Sequence, residues 1–133
     1  NADVIQGEEY TATLDGRTRP EHAALDGRVF PIGQGPQTPN GYNCRCVRVP
    51  KVKDEFKIPG IEGERASMDG PVSAQTTYNS WLKRQPKEFQ DEVLGPERAK
   101  LFRGGMNIQK FVDDRGVLYD IDQLRAMEVM ALA

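Results

Sequence analysis

Histidine occurs once in this chain, at position 22, cysteine twice, at 44 and 46, and tryptophan once, at 81. A single imidazole cannot serve as both metal ligand and general base, which weighs against chemistry that needs two histidines. Cys44 and Cys46 have one residue between them, and a ring that small strains disulfide geometry. A structural disulfide framework is therefore not expected, and reduced thiols in a cytoplasmic setting fit the pair better. No apolar run approaches the roughly 20 residues that span a bilayer, so no membrane partner is expected. No signal peptide is legible in the opening Asn1-Ala2-Asp3. An initiator methionine is lacking too, so the chain reads as a piece of a longer protein. Charge of either sign is not in large excess: the formal net charge is -2. That gives no global pull toward nucleic acid or an anionic membrane.

What is present suits a soluble, globular fold. The 133 residues, 38% of them hydrophobic and 29% charged, fit one domain or one compact lobe with an extension. Nine prolines and thirteen glycines predict many irregular connections. Glu9 to Leu14 is rich in Tyr and Thr and reads as a strand ended by Asp15-Gly16. Thr18 is placed to cap a short helix running to about Leu25, with Glu21 at capping-box spacing. Asp26-Gly27 signals a turn, Arg28 to Ile32 a second strand, and Gly33 to Asn43 a loop. Cys44 to Val52 alternates and reads as a third strand.

The second half reads as helices. Tyr78, Trp81 and Leu82 share one face of a helix over 76–84. Pro86 suits the first turn of a further helix that stops at Gly95, and another runs from Pro96 to Gly104-Gly105. Ile108, Phe111 and Val112 form an apolar turn. Asp120 and Gln123 have capping-box spacing for a last helix carrying Ile121, Leu124 and Met127. The fold class expected is α+β: a small β-hairpin or three-strand unit with a short helix in the first half, and several short helices in the second. The organisation read from this is a β-rich module at 1–52, a linker or extended arm at 53–72, and a helical region at 73–133.

His22, Cys44 and Cys46 are the chain's soft donors. Residues i and i+2 of a strand share a face, so both sulfurs are expected to point one way, toward His22 if the strands flank the short helix. A structural zinc site normally takes four N or S ligands, and a fourth would have to be Asp15, Glu21, Asp26, water or another chain. The competing reading makes His22 an ordinary helix residue and the cysteines small buried hydrophobes. Arg45, Arg48, Lys51 and Lys53 put four positive charges within nine residues. They suit either DNA or an acidic partner surface, or a solvated strand edge.

Three motifs together, Asp15-x-Arg-Thr-Arg-x-x-His22, Leu25-Asp-Gly-x-Val-Phe30 and Asn43-Cys-Arg-Cys46, resemble the Mu-F-like phage head morphogenesis family. Trp81 to Arg98 and Leu101 to Gly104 are similar to the downstream part of longer members. The resemblance implies a minor head protein without catalytic activity, oligomeric in the virion. It would be made in the bacterial cytoplasm and partnered with portal or capsid subunits and packaged DNA. The alternatives are a small metal-dependent nuclease, or the delivery module of an exported toxin.

Overall fold

The computed structural model describes residues 5–38, 44–52 and 63–132. Strand β1 (Ile5–Thr11) is the centre of a three-stranded antiparallel sheet in the order β2-β1-β3, with β2 at Val29–Phe30 and β3 at Val47–Val52. Its register pairs Glu9 with Val29 on one side and with Val49 on the other. Between β1 and β2 lies helix α1 (Pro20–Leu25).

Two boundaries differ from the local reading for tertiary reasons. The first strand lies earlier than 9–14 because Ile5 and Gly7 pair with Val52 and Lys51, partners more than forty residues away. It ends earlier because the Thr13 carbonyl accepts from the Asp15 amide and the Thr18 hydroxyl, which turns the chain. The same hydroxyl is therefore not a helix cap. Arg19 is the N-cap of α1, with no side-chain cap bond, and Pro20 occupies the first turn.

Part of the stretch read as a linker or extended arm has regular structure. Glu64–Arg65 (β4) and Val72–Ser73 (β5) form an antiparallel hairpin, closed by backbone hydrogen bonds between Ser67 and Gly70. Leu14 bridges to Ser67, so the hairpin is joined to the first half. Residues 53–62, the rest of the expected linker, lie outside the described residues.

Helices α2 (Tyr78–Lys83), α3 (Lys87–Leu94), α4 (Pro96–Arg103) and α5 (Ile121–Leu132) follow, with a 3-10 helix at Ile108–Phe111 between the last two. Thr77 and Ser80 form a reciprocal capping box at the start of α2. Gly95, at φ 83°, ends α3 and opens α4; a side chain there would be strained, and glycine makes the abrupt reversal feasible. At the start of α5 the Asp120 amide donates to Gln123 Oε1 (2.9 Å) and the Gln123 amide to Asp120 Oδ1 (2.7 Å). This is the reciprocal cap that the spacing predicts.

The fold is α+β as expected, but its two halves share one apolar core. Tyr10, Leu14 and Leu25 from the first half are fully buried in the same cluster as Tyr78, Leu82, Phe102, Phe111 and Leu124 from the second. Trp81 packs edge-on against Tyr78 (centroids 5.2 Å apart) and Phe89 (5.7 Å). Among the described residues, no helix is long and apolar enough to cross a membrane.

Candidate metal centre

Three elements of the first half converge on one cleft. His22 sits in the last turn of α1, 5% exposed, held there by the packing of Ala23, Ala24 and Leu25 into the core. Cys44 and Cys46 lie in the irregular lead-in to β3 rather than in the strand itself, so strand alternation does not orient them. A local contact does: the Cys46 amide donates to Cys44 Sγ at 3.4 Å. One ligand atom from each of His22, Cys44 and Cys46 lies within 4.8 Å of the other two. Neither cysteine is in a disulfide. The cleft they line has a volume of about 100 Å³, and Thr13, Arg17, Thr18, Arg19 and Arg45 complete its walls.

The proposed carboxylate ligands are elsewhere. Asp15 is clamped by Arg45 through both oxygens, at 2.6 and 3.0 Å, and accepts the Arg17 amide at 2.9 Å. The Arg45 guanidinium holds its carboxyl below the usual range. Asp26 is 1% exposed and fully engaged: Oδ1 accepts the Ala12 amide (2.8 Å) and Arg65 Nη2 (2.6 Å), while Oδ2 accepts the Tyr78 amide (2.7 Å) and Arg65 Nη1 (3.1 Å). Neither aspartate, nor Glu21, belongs to the cluster of donors found among the described residues. The expectation of Asp15 or Asp26 as fourth ligand is thus corrected: ion pairing and buried amide donors have claimed both.

Burial shapes the chemistry of the donors. It pushes the Cys46 thiol up to about 12, with a hydrogen bond from Tyr10 acting the other way. It pulls His22 down toward the neutral imidazole, the form that ligates metals. A thiol raised in this way is a poor nucleophile at neutral pH. The arrangement suits metal ligation, where the cation itself displaces the thiol proton, better than covalent catalysis.

The basic run does not form one patch. Arg45 faces Asp15, and Lys51 Nζ lies 3.7 Å from Glu9 Oε1. The Arg48 side chain is only 4% exposed: it pairs with Glu8 (3.1 Å), donates to the carbonyls of Pro31, Gln34 and Pro36, and lies over the Phe30 ring. It fixes the loop after β2. Lys53 lies outside the described residues. Arg65, the partner of Asp26, was not singled out by sequence reasoning, because nothing near it in the chain marks a buried acid 39 positions away.

The stretch holding the cluster also has relatives. Residues 2–49 match the family described as Phage Mu protein F like protein. Over 49 residues the chain is 49% identical to the "Putative capsid assembly protein F" of Escherichia phage Mu, 34% of this chain and 11% of that protein. An uncharacterized protein of Haemophilus influenzae is 25% identical over 89 residues, 64% of this chain and 18% of that protein. A 1-deoxy-D-xylulose-5-phosphate synthase of Anaeromyxobacter sp. (strain K) is 33% identical over 81 residues, 60% of this chain and 13% of the enzyme. The matched stretches span only 11 to 18% of these relatives' lengths. Residues 81–104 lie beyond the span of the Mu protein F-like model. No solved structure matches the chain. Residues 2–49 contribute β1, α1, β2 and all three donors of the cleft.

Proposed function

We propose that this chain is a module of a phage or prophage head protein, acting in capsid assembly through contacts with portal or capsid subunits. The observation that carries this reading is the 49% identity, over 49 residues, to a protein named for capsid assembly. The geometry supports a structural role. Arg45, Arg48, Asp15 and Asp26 are held in internal pairs. The Cys46 thiol is raised rather than activated. On this reading the module is non-catalytic, is made in the bacterial cytoplasm, and ends in the virion.

The test is genetic. In the phage that encodes the chain, in-frame deletion of its coding segment is expected to abolish or malform heads seen by electron microscopy. Normal yields of filled, infectious heads would overturn the proposal. A parallel plasmid-nicking assay with Mg²⁺ and Zn²⁺ addresses the nuclease alternative. Saturable turnover that His22→Ala removes would replace the structural reading with an enzymatic one.

A further inference from the structure

We infer that His22, Cys44 and Cys46 form a three-ligand site for Zn²⁺ whose fourth coordination position opens into the arginine-lined cleft and takes water or a small anion. This inference goes beyond the head-assembly reading and does not depend on it.

The donor set is one nitrogen and two sulfurs. In a tetrahedral site, Zn–S bonds of about 2.3 Å and Zn–N bonds of about 2.0 Å place the donors roughly 3.6–3.8 Å apart. The three donors already lie within 4.8 Å of one another, so a contraction of about 1 Å completes the triangle. Cys44 is half-buried in an irregular lead-in outside the strand, where no ladder hydrogen bonds fix its backbone.

The surroundings also fit. A metal-bound sulfur is commonly stabilised by hydrogen bonds from neighbouring groups. Here the Cys46 amide donates to Cys44 Sγ. On binding, each cysteine sulfur gives its proton to solvent and its lone pair to the metal, and the imidazole binds as the neutral form.

The fourth position follows from what is missing and what lines the gap. Among the described residues, no carboxylate joins the donor group, and Asp15 and Asp26 are engaged in ion pairs. The donors instead face a cleft whose walls carry Arg17, Arg19 and Arg45 beside Thr13 and Thr18. With two thiolates and a neutral imidazole, the metal centre is uncharged, and a cleft wall that carries Arg17 and Arg19, beside an Arg45 already paired with Asp15, suits water or a small anion as fourth ligand. Three protein ligands with an open position are the pattern of an exchangeable rather than a closed zinc site.

The experiment uses the whole 133-residue chain, reduced, with Zn²⁺ and the spectroscopic probe Co²⁺. Elemental analysis is expected to find one metal per chain. Co²⁺ is expected to give thiolate-to-metal charge transfer and visible bands of tetrahedral intensity, and azide is expected to shift those bands. Cys44→Ser should weaken binding, and Cys44→Ser with Cys46→Ser should abolish it. Trp81 fluorescence reports whether each variant is folded. Cys44→Ser keeps the test decisive if the buried Cys46 cannot be replaced. Absence of stoichiometric metal in the folded wild type, or full binding by folded Cys44→Ser, overturns the site. Visible bands that do not respond to azide overturn the open fourth position.

Discussion

Arg65 on β4 grips the carboxylate of Asp26 at the end of α1, with Nη2 2.6 Å from Oδ1 and Nη1 3.1 Å from Oδ2. The same guanidinium donates to the carbonyls of Thr76 and Ala12, while Asp26 also accepts the amides of Ala12 and Tyr78. One buried pair thus ties β1, α1, the β4-β5 hairpin and the start of α2 together.

Removing one partner leaves a buried charge uncompensated, whereas removing both removes the charge. Arg65→Met is expected to cost about 3–5 kcal/mol in urea denaturation. Asp26→Asn with Arg65→Met should cost clearly less than the sum of the two single substitutions. Additive losses would show that the two side chains act independently.

Arg48 separates an internal brace from a DNA-binding surface. Its nearly complete burial against Glu8, Phe30 and three loop carbonyls leads us to expect that Arg48→Ala lowers stability by about 1.5–3 kcal/mol, the range for hydrogen bonds to charged groups. DNA affinity, followed by fluorescence anisotropy at low salt, should not change. A variant of wild-type stability with weakened DNA binding would restore the basic-patch reading.

The last helix offers a contrast between a surface cap and the core. Asp120→Ala removes one arm of the capping box and is expected to cost about 1 kcal/mol. Leu124→Ala, at a fully buried position, should cost about 2–5 kcal/mol. Thermal melts followed by circular dichroism compare them. A Leu124→Ala loss no larger than that of Asp120→Ala would mean that α5 does not share the common core.

Tyr78 gives the alkaline limb of stability. Burial raises its phenol above the ordinary value of 10.0, and its hydroxyl donates to the Asp15 carbonyl at 2.5 Å. Because the folded state disfavours the phenolate, this contribution is fully present below about pH 10. It is lost as pH rises beyond that value, since the unfolded chain releases its proton first. Tyr78→Phe is expected to lower stability at neutral pH yet flatten its decline above pH 10. An equally steep alkaline decline in the variant would assign the effect to other groups.

The sequence alone determined what short-range stereochemistry controls. Pro20 and Pro96 in first turns, Gly95 between two helices and the Asp120–Gln123 box act within one turn of chain, and each appears where its neighbours predict. The alternating and helical apolar patterns likewise determined the α+β class and most of the helices. The three donors of the cleft were legible because they are the chain's only histidine and cysteines. Tertiary structure alone decided that Asp15 and Asp26 pair with arginines, where β1 starts and how residues 64–73 are used. Asp15 and Asp26 resemble ligands in sequence, but Arg45 and Arg65, 30 and 39 residues away, claim their oxygens once the chain folds. A buried charge requires a partner with matching geometry, and that requirement is met across the fold rather than along the chain.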